Sequence, residues 1–99
     1  MKRAILLIAA VLTSIGAHAT QQLAFDLGCY NCHGTPPQAG GPTFAELARR
    51  YERLRGDAKA QQQIATKLRS SGHVNAHTQL SEASAAALIR WLSEGAQAN

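Results

Sequence analysis

The chain has 99 residues with one tryptophan, two tyrosines, two phenylalanines and two cysteines. That is enough for one small domain, and too few cysteines for a disulfide framework or a four-cysteine zinc site. The formal charge is +4, but Lys2 and Arg3 supply two of those charges from a segment expected to be removed; the small excess left argues against nucleic-acid binding, which wants a dense basic stripe.

That segment comes first. Met1-Lys2-Arg3 is a positive start, Ala4 to Leu12 is an almost unbroken apolar run, and Ala17-His18-Ala19 is an A-x-A cleavage site. The three together are the pattern of a secretory signal peptide over 1–19. The apolar run is shorter than the roughly 18–20 residues that cross a bilayer, so a permanent anchor is disfavoured, and nothing later in the chain is apolar enough to span a membrane. The expectation is a periplasmic protein whose domain is 20–99. A domain of that size with few large side chains makes a weak core, and such domains usually depend on a metal, disulfides or a cofactor.

Thr20 to Asp26 reads as the start of a helix, with Leu23 and Leu27 four residues apart and Ala24 beside them. Cys29-Tyr30-Asn31-Cys32-His33 follows, a C-x-x-C-H spacing. At that spacing one helical turn presents two thiols to two vinyl groups of a haem and directs the adjacent imidazole beneath its iron. Gly28 stands just before it, where a side chain would obstruct the haem or a crossing helix; an ordinary helix-end glycine is the alternative. Two other readings of the cysteines compete. A thioredoxin-type redox pair needs a βαβ context, which the helical patterning does not offer. Half a zinc site would need a second pair, for which His73 and His77 are the candidates.

Gly34 to Pro42 contains all three prolines and reads as a loop. Phe44, Leu47, Ala48, Tyr51 and Leu54 then fall at helical spacing, closed by Gly56. Asp57 caps a further helix to about Ser70, with Ala60, Ile64, Ala65 and Leu68 on one face. His73 to Leu80 is a short polar loop. Ser81 caps a last helix to about Gly95, with Ala85, Leu88, Ile89 and Leu92 as its buried stripe and Trp91 at the edge. No alternating strand pattern occurs. The expected class is all-α, about four helices. Arg49, Arg50, Arg53 and Arg55 form a basic run, read as a solvated helix face with a Glu46–Arg50 pair or, alternatively, as a docking patch for an acidic partner.

With these residues in place the chain resembles the small bacterial monohaem class I cytochromes c. The resemblance rests on Cys29-Tyr30-Asn31-Cys32-His33-Gly34, on Gly41-Pro42-Thr43-Phe44 opening a helix, and on Leu80-Ser81-Glu82 followed by Ala87-Leu88-Ile89-Arg90-Trp91-Leu92. It implies a cytochrome c fold around one covalent haem c, held by Cys29 and Cys32, with His33 on one face of the iron. It also implies a hydrogen bond from His33 Nδ1–H to the Pro42 carbonyl, and a crossing of the first and last helices in which Leu23 and Leu27 meet Leu88 and Trp91. The chain departs from the family in one respect. Its single methionine is Met1, inside the expected leader, so the usual second axial ligand is missing. The loop before the last helix offers His77 instead, with His73 or an open face as alternatives.

The function these features imply is one-electron transfer to periplasmic redox partner proteins, by a carrier rather than an enzyme. A haem-based gas sensor with an open or displaceable sixth position is the rival, and a haem subunit of a periplasmic dehydrogenase is a third possibility.

Overall fold

The computed structural model describes residues 21–36, 40–70, 72 and 74–97. The expected leader over 1–19 and His73 lie outside them. Among the described residues the protein is all-α, with no strand: α1 (Gln21–Asp26), α2 (Tyr30–His33), α3 (Phe44–Tyr51) continued by a 3-10 turn (Glu52–Leu54), α4 (Ala58–Ser70), α5 (Asn75–Thr78) and α6 (Glu82–Ser93). The four helices expected from periodicity correspond to α1, α3, α4 and α6. The two additional ones are single turns of four residues, too short to carry a 3.6-residue repeat, and they hold the C-x-x-C-H motif and His77.

Local chemistry sets the helix ends. Thr43 Oγ1 accepts the Glu46 N–H at 3.2 Å, Asp57 Oδ1 accepts the Ala60 N–H at 3.0 Å, and Ser81 Oγ accepts the Ser84 N–H at 3.0 Å. Each cap satisfies a donor that the first helical turn leaves unpaired and contributes about 1 kcal/mol.

The helix α6 is the axis of the domain, packed against α4, α3 and the 3-10 turn. Ala85, Leu88, Ile89, Trp91 and Leu92 are buried and join Ala24, Leu47, Leu54 and Ala65 in one cluster. Ser93 is fully buried in the same region, its Oγ donating to the Arg90 carbonyl at 2.6 Å and its carbonyl accepting from Arg55 Nε at 3.3 Å. Gln61 Nε2 donates to the Leu54 carbonyl at 2.8 Å, which fastens α4 to the 3-10 turn.

Two expectations are corrected. Leu27 is 42% exposed and does not join the core; Leu23 and Ala24 provide the inward face of α1. The reason is the way α1 ends. The Cys29 N–H bonds the Ala24 carbonyl and the Gly28 N–H bonds the Phe25 carbonyl, both at 3.0 Å, with Gly28 at φ +76°. This Schellman pairing makes Leu27 the last, outward residue before the reversal. Gly28 is therefore a helix-ending glycine, required by its left-handed backbone. Gly28→Ala is expected to lower the unfolding free energy by about 1–2 kcal/mol, measured by urea denaturation.

The second correction concerns Glu46 and Arg50, which form no ion pair. The salt bridge found among the described residues is Arg90–Glu94, at 2.9 Å. Arg50 instead lies on the wall of a cavity between α2, α3, α4, α5 and α6.

Candidate functional site

The reversal at Gly28 places Cys29 at the start of α2. The His33 N–H bonds the Cys29 carbonyl at 2.9 Å and the Cys32 N–H bonds it at 3.2 Å, so both cysteines and the histidine share one helical turn. Both thiols are free and half-buried. Burial pushes the Cys29 thiol above its ordinary value, opposed by a backbone hydrogen bond and reinforced by the neighbouring Cys32. A raised pKa keeps Cys29 a neutral thiol at pH 7, the opposite of the thiolate that disulfide exchange requires. With no strand among the described residues, the thioredoxin-type reading loses its second support as well.

The loop after α2 folds back on it through Gly41. A Cβ there would stand 2.7 Å from the Cys32 carbonyl oxygen and 3.3 Å from His33 Cε1, so no larger residue fits without moving the loop. The close approach brings the Pro42 carbonyl to 2.6 Å from His33 Nδ1. A carbonyl only accepts, so Nδ1 carries a proton and donates, which leaves Nε2 as the acceptor nitrogen of the neutral tautomer. Phe44, the first residue of α3, packs on this assembly with ring centres 5.6 Å from His33, 4.8 Å from Tyr30 and 5.3 Å from Trp91.

His77 reaches the same place from the opposite side of the chain. Its ring centre is 6.2 Å from that of His33 and the two rings are nearly parallel, 7° apart. No hydrogen bond joins them, and no partner fixes the His77 ring among the described residues. Burial, with a smaller contribution from the charge of His33, holds the His77 imidazole below its ordinary value of 6.5. At pH 7 it is therefore neutral, the form that ligates metals.

The segment that carries His77 is fastened at its far end. Arg69 Nε, in the last turn of α4, donates to the Leu80 carbonyl at 2.9 Å, and the Leu80 N–H bonds the His77 carbonyl at 3.3 Å. Arg69→Ala is expected to cost about 1.5 kcal/mol, the low end of the range for a hydrogen bond involving a charged group, and to accelerate amide hydrogen exchange at Leu80 more than in α6.

Both histidines line a cavity of about 230 Å³. Its wall includes Cys29, His33, Pro42, Phe44, Leu80 and His77, with Leu47, Leu68, Leu88, Ile89 and Leu92 behind them and Arg50 and Tyr51 at the side. Two larger and more open depressions, of about 620 and 350 Å³, are lined around Arg55, Arg90 and Glu94 and around Arg49 and Glu52. Neither holds a cysteine or histidine, so the smaller, more apolar cavity is the better candidate despite its size.

Cys29, His33, Pro42 and His77 are thus brought together, and Cys32 lies in the same turn; His73 lies outside the described residues. Among the described residues no group of three or more His, Cys, Asp or Glu side chains is assembled around a common point; the zinc reading needs His73, which lies outside them. Sequence reasoning missed Arg50 and Tyr51 on the wall and Arg69 as the fastening of the distal segment. The first two sit three and four residues after Leu47, on the edge of the α3 stripe, which is the signal that could have found them. No helix among the described residues is long and apolar enough to cross a membrane. No family model, curated protein or solved structure significantly matches the chain.

Proposed function

We propose that residues 20–99 form a small c-type cytochrome of the class I kind, with one haem bonded through Cys29 and Cys32 and ligated by His33 and His77. Its role is one-electron transfer to redox partner proteins in the periplasm, the compartment that the 1–19 leader implies. The observation that carries this reading is the His33–His77 pair. Two imidazoles on opposite sides of one metal, with bonds of about 2.0–2.1 Å and about 1.1 Å from each nitrogen to its ring centre, stand roughly 6.3 Å apart. The observed separation is 6.2 Å.

The lack of a three-ligand cluster does not weigh against this reading, because a porphyrin brings four nitrogens of its own and asks the protein only for axial ligands. Haem, when bound, supplies the iron that changes oxidation state. The chain's residues do the rest. Pro42 fixes the His33 tautomer and orientation, and raises the ring's donor strength through the Nδ1–H bond. The aliphatic wall from α3, α4 and α6 excludes water. Residues 20–99 contain no methionine, so a thioether sulfur from this segment cannot be the second axial ligand.

The asymmetry between the histidines favours a second reading. The His33 ring is held by a carbonyl and the His77 ring by no hydrogen bond among the described residues, which suits a distal ligand that an exogenous gas displaces. Expression of the full chain alongside a cytochrome c maturation system tests the first reading. The expected result is a mass increase of one haem that survives acid and organic extraction, and a haem-free product would end it. Carbon monoxide added to the reduced holoprotein separates the two: slow or absent binding supports the carrier, and rapid binding supports the sensor.

A further inference from the structure

The turn that carries His77 has few attachments to the rest of the domain. Over 74–80 only His77 and Leu80 are half-buried, and the other five residues are exposed. The segment's backbone bonds are local: the His77 N–H bonds the Val74 carbonyl at 3.1 Å, and the Leu80 N–H bonds the His77 carbonyl at 3.3 Å. Thr78 Oγ1 likewise donates within the turn, to the Asn75 carbonyl at 2.7 Å. Among the described residues one hydrogen bond leaves the segment, from Arg69 Nε to the Leu80 carbonyl at 2.9 Å. Arg69 is half-buried, forms no ion pair among the described residues and does not line the cavity. Its guanidinium is thus committed to the backbone of the segment that presents His77, and to nothing in the cavity itself.

The two histidines are therefore held in different ways. The His33 ring is fixed directly, by the Pro42 carbonyl. The His77 ring is fixed only through its backbone, by a chain of two bonds that runs from the His77 carbonyl to Leu80 and from the Leu80 carbonyl to Arg69. We propose that Arg69 is the positioning residue of the distal side, and that its bond to Leu80 sets how readily an exogenous ligand takes the place of His77. The inference rests on the haem reading, and it names the residue that decides between a closed carrier and a gas-responsive site. A ligand that needs the open turn binds in proportion to the fraction of molecules that are open. A hydrogen bond from a charged donor is among the stronger ones, so its loss multiplies that fraction by about ten or more.

The test is the rate of carbon monoxide binding to reduced holoprotein of the wild type, Arg69→Gln, Arg69→Lys and Arg90→Gln. Arg69→Gln is expected to bind about tenfold faster or more at equal gas concentration. Without gas it keeps the low-spin, six-coordinate spectrum of the wild type, because His77 is still present. Arg69→Lys, which retains a charged donor, falls between the two. Arg90→Gln removes the exposed Arg90–Glu94 pair beside a different depression and leaves the rate unchanged, whereas a general loosening of the domain would raise both. A second measurement needs no variant: in the wild type the Arg69 Nε–H is protected from solvent exchange before gas is added and loses that protection at saturation. If Arg69→Gln fails to mature, this measurement decides alone. Equal rates in Arg69→Gln and Arg90→Gln, or an Nε–H still protected at saturation, overturn the positioning role and leave the haem reading standing. A wild type that takes up no haem overturns both together.

Discussion

On the proposed haem reading, His77→Ala is expected to convert a low-spin, six-coordinate protein into a high-spin one while the covalent haem stays attached. The wild type is expected to be low-spin in both oxidation states, because two imidazoles give a strong axial field. The attachment is expected to survive because the thioethers would form at Cys29 and Cys32, at the start of and within α2, which His77 does not touch through any hydrogen bond among the described residues. Carbon monoxide binding to the reduced variant accelerates by orders of magnitude, since no internal ligand has to leave first. The near-parallel rings, 7° apart, add a finer expectation. Both π systems then act on the same iron d orbital, so the wild-type ferric protein gives a rhombic low-spin EPR spectrum rather than the strongly axial one of crossed rings. His77→Met stays six-coordinate and raises the reduction potential, because thioether ligation in place of imidazole favours the ferrous state. A high-spin His73→Ala beside an unchanged His77→Ala would show that the wrong histidine has been placed on the iron.

Without its ligand, the domain is expected to lose its fixed tertiary structure. Among the described residues, five of the eleven buried apolar ones are alanines, namely Ala24, Ala48, Ala65, Ala85 and Ala87. Each buries little area, so the polypeptide core is weak. A cavity of about 230 Å³ at roughly 24 cal/mol per Å³ corresponds to at most about 5.5 kcal/mol; water entering at the open side reduces that. Small domains have only about 5–15 kcal/mol in total. The double substitution Cys29→Ser with Cys32→Ser, which leaves the helix turn intact and abolishes thioether formation, therefore yields a species with partial helical circular dichroism, little near-ultraviolet signal and no sharp thermal transition. A sharp transition at the wild-type temperature would show that the chain folds without a cofactor. These variants separate the two things the proposed reading asks of the cavity, to hold the iron and to hold the porphyrin.

Much of the fold was legible because its longer helices carry local information. The stripe through Ala85, Leu88, Ile89 and Leu92 repeats at helical spacing, and Asp57 and Ser81 are caps that act within three residues. The placement of Cys29, Cys32 and His33 on one helical turn was legible for the same reason, since the motif spans only five residues. What failed did so where a residue had two local options of similar energy. Leu27 has an apolar neighbour at i−4, but the reversal at Gly28 turns it outward. Arg50 has an acidic neighbour at i−4, but its side chain borders the cavity instead. A pairing worth a few tenths of a kcal/mol is readily outweighed by the surroundings of a side chain at a cavity rim.

The His33–His77 pair, with ring centres 6.2 Å apart, marks the boundary between what each level decides. The amino-acid sequence by itself determined that one helical turn carries two thiols and an imidazole, that residues 20–99 hold no methionine, and that amphipathic helices surround them. Only the tertiary structure decided between the readings of Gly28, opposed His77 to His33 across an apolar cavity, and brought Arg50 to its rim. The physical reason is distance along the chain. Backbone hydrogen bonds and caps act over three to five residues and are written in local spacing, whereas residues 33, 50 and 77 meet only after α3, α4 and α6 have packed.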